Sequence, residues 1–421
     1  MPQSSDAAPS PDHKGIPLAE FIGLIAMMMA LTALSVDIML PALAEIGSTL
    51  GVGHPNDRQL IITFYLLGFS AGQFVFGPIS DHFGRKRPLY AGLLIFAAGT
   101  LLAIVAWDAP AMFAARVMQG FGAASPRVIA IAIVRDRFAG RCMSKVMSFV
   151  MMVFVAVPIL APAIGQAVLE IGPWRWIFLV LLAASLITLV WSALRLPETH
   201  GERECMPLTL PRLRHAAVTV VTTRQTAGYA LAYGFFFGTL MSYIGSAGQI
   251  FIDVYGLGAN FPLVFGAVAS VMIPASFLNT RLVERLGMRR VSHVAMLGFL
   301  AACGAMALAG FPAKPPLVAF CLFIAATFFC FGLIAPNFNA LTMEPMGEIA
   351  GTASSFAGFY TTGAAAVFGW LVGQSFDGTV RPLTVGFTAL AGAALAAVLV
   401  TERGEFARSH PPSSSDYMDR H

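Results

Sequence analysis

Two uninterrupted apolar runs, Leu60 to Ile79 and Pro88 to Trp107, flank one short charged loop. Each is about twenty residues long and free of Lys, Arg, Asp and Glu. A helix of about 20 apolar residues crosses the roughly 30 Å hydrocarbon core of a bilayer. The same reading along the chain places twelve spans, at about 18–44, 59–80, 88–107, 110–133, 144–169, 174–195, 226–252, 260–282, 290–311, 316–341, 349–374 and 382–401. Charged residues are only 11% of the 421, against about 25% in soluble domains. The chain is an integral membrane protein. The apolar stretch from Leu18 to Leu43 is too long for a signal-peptide core and is read as the first span.

The longest polar stretch within this series, 196–225, falls after the sixth span. It divides the chain into bundles at 18–195 and 226–402 joined by a cytoplasmic linker, with polar, disordered tails at 1–17 and 403–421. With the N-terminus inside, inner segments hold 20 of the 26 Lys and Arg and outer segments four. The remaining two, Arg116 and Arg127, lie well inside a span. That asymmetry puts both termini in the cytoplasm.

The halves repeat. Asp81-His82-Phe83-Gly84-Arg85-Lys86-Arg87 and Glu284-Arg285-Leu286-Gly287-Met288-Arg289-Arg290 each follow the second span of their half. Acid, glycine and basic pair recur at one spacing, which fits two parallel six-helix repeats about an axis along the membrane normal. The expected class is an all-α membrane protein of twelve transmembrane helices in two six-helix repeats.

Other chemistry finds little support. The net charge of +4 sits in short loops rather than on one face, so no nucleic-acid partner is expected. Cys142, Cys205, Cys303, Cys321 and Cys330 show no ligand spacing, and neither a metal nor another cofactor is expected. Gly68-Phe69-Ser70-Ala71-Gly72 reads as a nucleophile elbow, but that motif needs a strand-turn-helix and a histidine partner. Mid-helix, its glycine spacing suits close helix packing instead. The chain is not read as an enzyme.

Ionisable residues inside spans are costly and mark function. Asp37 lies about 9–12 Å below the outer end of the first span, and Arg116 lies about 9 Å deep in the fourth. They are candidates for an ion pair, either one that moves protons or a permanent bridge that orders the bundle. Arg127 follows Arg116 by eleven residues and faces the same way. It either snorkels to the cytoplasmic surface or faces the cavity, where a second arginine favours an anionic or polar substrate. Tyr233, Phe236 and Phe237 in the seventh span line a drug-binding wall or simply pack. Asn337 and Asn339, after Pro336, line the cavity or mark an irregular helix.

The loop after the second span also resembles a known signature. Gly77, Asp81, Gly84, Arg85 and Arg87 match the motif between the second and third helices of the major facilitator superfamily. In the fourth span, Arg116, Gln119, Gly120, Gly122, Ala123 and Ala124 match that family's Arg-x-x-Gln-Gly-x-Gly-Ala-Ala pattern. The stretch from Asp37 to Pro41-Ala42-Leu43, with Arg135-Asp136, resembles the drug:proton antiporters, most closely the Bcr/CflA-like multidrug group. The resemblance covers the whole chain in topology, with its motifs concentrated in the first half. It implies proton coupling through Asp37 and Arg116, and a latch of the outward-facing state at the Asp81–Arg85 loop. It implies a monomer in the bacterial inner membrane that exchanges protons for a small-molecule drug or other amphipath. The fifth-span antiporter motif keeps Pro162 and Gly165, next to Pro158, but has Val157, Ala161 and Gln166 where glycines are expected. That departure keeps open a symporter importing a metabolite.

Overall fold

The computed structural model describes residues 16–138, 140–199 and 209–403. Most of both expected tails, and Arg203, Glu204 and Cys205 of the linker, lie outside the described residues. No strand occurs among the described residues.

The first span is broken: α1 (Leu18–Asp37) is followed by a 3-10 turn (Leu40–Ala42) and α2 (Leu43–Thr49). Pro41 lies in that turn, where the missing N–H of proline stops a continuous helix. After a second 3-10 turn (Pro55–Gln59) come α3 (Leu60–Phe83), α4 (Lys86–Ile104), α5 (Ala109–Arg137), α6 (Gly140–Ile171) and α7 (Arg175–Arg195). The second half holds α9 (Arg224–Gly248), α10 (Phe261–Ser270) with α11 (Met272–Leu286), α12 (Met288–Leu308), α13 (Leu317–Met343), α14 (Ala350–Gln374) and α15 (Arg381–Thr401). Between the halves lies α8 (Leu210–Thr222), packed on α9 and α14. Sequence polarity reads 196–225 as a linker, yet part of it forms a helix whose Val220 is buried. Val220 packs against Met346 and Ala353.

Among the described residues eleven helical stretches are long and apolar enough to cross a membrane. The 32-residue α6 contains a further, shorter apolar stretch, Ala156–Ile171. The helices match the twelve expected spans to within a few residues at most ends. The starts and stops follow local chemistry. Asp108 caps α5 by accepting the Ala111 N–H at 2.8 Å, and Arg135 and Arg137 lie in its last turn, at the negative end of the helix dipole.

Packing repeats as the sequence does. In the first half α5 packs on α1, α3 and α4, while α1 also packs on α6 and α7, and α4 on α7. In the second, α13 packs on α9, α11 and α12, α9 on α14 and α15, and α12 on α15. The two glycines that the loop repeat aligns have the same left-handed backbone, φ 83° at Gly84 and 79° at Gly287. Only glycine holds that conformation without strain. The halves meet where α3 packs on α14 and α6 on α10.

Candidate functional site

Asp37 is the last residue of α1 and is buried, 2% exposed. Its Oδ1 has no hydrogen-bond partner. An unsatisfied buried carboxylate oxygen is expensive, so a retained one marks a group whose bonding changes during function. Gly165 of α6 makes room beside it, because a methyl there would run into the Ile38 carbonyl and approach Pro41 to 3.2 Å. The small residue of the fifth-span motif thus lets α6 close on the break in the first span.

The proposed ion pair is not made. None of the ion pairs among the described residues joins Asp37 to Arg116. Arg116 is fully buried and instead donates Nε to the Ile61 carbonyl at 3.1 Å, one Nη to the Ser35 carbonyl at 3.0 Å, and the other to Gln119 Oε1. Its guanidinium lies 4.4 Å over the Tyr65 ring. The physical reason is the break in the first span. The last carbonyls of a helix lack intrahelical donors, and the C-terminal end carries partial negative charge. Arg116 therefore bonds the helix end two residues before Asp37, and holds α1 to α3. Gln119 completes the frame by donating to Thr100 Oγ1 at 2.8 Å.

Backbone contact fixes α5 among its neighbours. A methyl at Gly120 would run into the Tyr65 carbonyl, and one at Gly122 into the Phe96 amide. Methyls at Gly68 and Gly72, the apparent elbow, would strike the carbonyls of Val117 and Phe121. These glycines are packing residues. Pro158 and Pro162 lie inside α6, which continues through both.

The Arg127 side chain lies over Phe69 of α3. It is half-buried, its guanidinium 5.7 Å over the Phe69 ring and within electrostatic reach of Tyr233 in the other half. Helical Cα–Cβ bonds tilt towards the helix N-terminus, which for α5 is the end opposite Arg135 and the loop cluster. The long stem follows that tilt towards mid-membrane. Tyr233 and Phe237 are half-buried and stacked at 6.0 Å. Phe236 is different: fully buried, it packs edge-on to Phe299 and Phe338 inside the second half. Asn337 is tied to Asn279 Oδ1 and the Leu333 carbonyl, both at 2.7 Å, whereas Asn339 is exposed.

Most of the loop residues converge. Arg85, 2% exposed, pairs with Asp81 and with Asp136 at the end of α5, both at 2.7 Å. Burial alone would lower the Arg85 pKa, but the hydrogen bonds it donates to Asp136 and Asp81 outweigh it and raise the pKa. Glu198, after α7, accepts the backbone N–H of Arg85 at 2.9 Å and of Lys86 at 3.1 Å. A methyl at Gly77 would strike Ser355 of α14, and one at Gly351 in the first turn of α14 would lie 3.5 Å from Asp81 Oδ2. Arg87 is exposed and makes none of these contacts.

The second half rebuilds this cluster with different residues. Arg289 approaches Glu402, after α15, at 3.4 Å and Glu344, after α13, at 3.7 Å. Tyr229 links His293, at 2.9 Å, to Glu402, at 2.7 Å. The base has moved one position along the aligned loop, and Glu284 is exposed.

Sequence reasoning missed the outer seam altogether. Gln59 donates to Gln249 Oε1 at 2.6 Å and to the Gly373 carbonyl at 3.2 Å. Gln249 donates to Asn56 Oδ1 at 3.0 Å. Asn56 donates to the carbonyls of Gln374 and Phe376 at 3.0 and 2.8 Å. Gln59 and Asn56 are 3% and 4% exposed. The available signal was a set of uncharged amides at the ends of apolar runs.

A model of the Major Facilitator Superfamily matches residues 25–370. The chain belongs to that superfamily. A bicyclomycin resistance protein homolog of Haemophilus influenzae is 30% identical over 370 residues, 86% of this chain and 91% of the relative. The multidrug resistance protein MdtL of Shewanella oneidensis is 26% identical over 352 residues, 80% of this chain and 84% of that protein. Among solved structures, a D-xylose-proton symporter superposes with a TM-score of 0.71 at 13% identity, covering 92% of this chain and 99% of that one. That likeness establishes the fold and leaves the cargo to the site.

Proposed function

We propose that this superfamily member is a proton-coupled exporter of small amphipathic molecules, including drugs, working by alternating access in the bacterial inner membrane. Its cytoplasmic termini follow from the distribution of Lys and Arg, and the bundles at 18–195 and 226–402 are its two rocking bodies. The observation that carries the reading is the buried Asp37 carboxylate, placed at a helix break with one oxygen unpartnered. Broken helices and intramembrane acids are where transporters bind coupling ions.

In this reading Asp37 takes a proton from the outside and releases it to the cytoplasm. Arg116 is a positioning residue that clamps the end of α1. Asp81, Arg85 and Asp136 latch the cytoplasmic side in the outward-facing state, with Gly77 and Gly84 permitting the close approach. Substrate binds between the halves near Arg127, Tyr233 and Phe237. The relatives named for resistance to bicyclomycin and to multiple drugs support export.

The test uses inverted membrane vesicles that hold a respiration-driven proton gradient reported by a quenched dye. Added drugs should dequench the dye with wild type, and Asp37→Asn should abolish the response. Undiminished dequenching in the variant would remove Asp37 from the coupling.

A further inference from the structure

Each half carries an irregular helical segment at the outer seam, and the two face each other. In the first half it is the 3-10 turn Leu40–Ala42 that follows the end of α1. In the second, α9 ends at Gly248 and the chain runs on as a π-helical turn, Gln249–Val254. Such turns are rare and frequently sit at functional sites. The 3-10 turn packs on α9, and a methyl at Gly248 would lie 3.4 Å from the Leu40 carbonyl.

The two segments leave a space between them. It is a cavity of about 30 Å³, lined by Leu40, Pro41, Arg58 and Gln59 of the first half and by Gln249 and Asp253 of the second. A water needs about 10–15 Å³ of such space, so the cavity has room for about two. Asp253 is exposed and is the one acid on the cavity wall among the described residues. None of the ion pairs among the described residues engages it. Glu45 and Asp57 lie off the wall, and Asp57 accepts from Gln374 Nε2 at 3.2 Å. On the opposite side the wall is Leu40 and Pro41, beginning three residues after Asp37. Three residues of helix rise about 4.5–6 Å. The buried carboxyl with its unpartnered oxygen thus lies about one turn from a water-sized space beside a solvent-exposed acid.

Asp37 is 2% exposed, so its proton has to be handed to it. Proton relays through membrane proteins run along acids and histidines, and a transfer can pass through one intervening water. We propose that this cavity is the outer mouth of the proton path and that Asp253 loads it. Asp253 takes a proton from the outside water and gives it to water in the cavity. That water passes a proton to the Asp37 carboxylate when the Leu40–Pro41 turn moves aside. One proton leaves Asp253 and one arrives at Asp37, so charge and atoms balance. The inference rests on the exporter reading above and adds the route by which its proton arrives.

The experiment uses inverted vesicles, in which the outer face looks into the acidified lumen. A positioned proton-transfer group contributes about a hundredfold or more, and direct exchange with water recovers part of that, so Asp253→Asn should slow drug-driven dequenching about tenfold. The half-saturating drug concentration should not change. Loading the lumen with a small impermeant buffer, MES, should restore about half or more of the wild-type rate, and Asp253→Glu should behave as wild type. A merely structural aspartate would give neither rescue. Gly248→Leu, which puts a side chain into the cavity, should slow exchange similarly and gain nothing from the buffer. A wild-type rate in Asp253→Asn or in Gly248→Leu overturns the proposal, as does slowing in Asp253→Asn that neither MES nor glutamate relieves. The exporter reading fails separately: it falls if wild type gives no dequenching or if Asp37→Asn keeps it, and the proposed mouth then falls with it.

Discussion

The two ends of the α3–α14 seam are closed by opposite means. At the outer end Asn56, Gln59 and Gln249 close it with neutral amides, and Gln374 adds one bond to Asp57 Oδ1 at 3.2 Å. At the inner end the ion-paired cluster of Asp81, Arg85 and Asp136 reaches the first turn of α14 through Asp81. Neutral hydrogen bonds are each worth about 0.5–1.5 kcal/mol net, and their partners rehydrate readily when exposed. A buried charge cluster behaves otherwise, because removing one member leaves the others uncompensated. The outer closure therefore suits repeated opening, whereas the inner one suits holding a state until something displaces it.

This contrast can be broken at several points. Arg85→Ala strands Asp81 and Asp136, and a broken buried ion pair costs about 3–5 kcal/mol. Transport should be lost and thermal unfolding of the purified protein should come at markedly lower temperature. Wild-type transport by this variant would end the latch assignment. Next in size is Gly373→Ala, whose methyl would run into the Gln59 amide. Overpacking costs about 1–3 kcal/mol, so spin labels on the outer ends of α3 and α14 should report a population shifted to larger separation. Gln59→Ala in the same chain should cancel most of that shift, since the clash is with that side chain.

A pH titration sharpens the same comparison. The Arg85 pKa is raised in the fold, so its stabilising contribution is fully present below the ordinary arginine value and is lost only at higher pH. Between about pH 5 and 9 the arginine stays charged. The charge on this arginine is then constant, and the pH dependence of transport is expected to come from Asp37. The profile should flatten in Asp37→Asn and keep its shape in Gln59→Leu. The smallest effect is expected from Gly245→Ala, where the added methyl would lie 3.1 Å from the flexible tip of Gln59. The spin-label distances should then move only slightly, and a shift as large as that of Gly373→Ala would show that the amides hold the seam more rigidly than their geometry implies.

Length and hydropathy made the spans readable because twenty apolar residues admit few alternatives. The inner loop was readable because charge is rare here and stands out. Both signals fade at the amides of the outer seam, where Asn56 and Gln59 look like ordinary interfacial residues until a partner from the other half is placed on them. The Asp37–Arg116 pair was a reasonable expectation from depth, but depth does not tell where a helix breaks. Once α1 ends at Asp37, its free carbonyls compete for the guanidinium and win. Arg127 turned on a further detail: side chains lean towards the helix N-terminus, so a residue on the inner half of α5 leans towards the membrane centre.

The glycines between α3 and α5 have one more consequence. With no methyl between them at Gly68, Gly72 or Gly120, these two helices cannot slide past each other and must travel as a single beam. Gln59 stands at one tip of that beam, Asp81 at the other, and Arg116 and Arg127 are fastened along its length. A push on either arginine would then be delivered as a tilt, lifting one tip as the other comes down, and this half would work as a see-saw rather than as a pair of separately sprung doors.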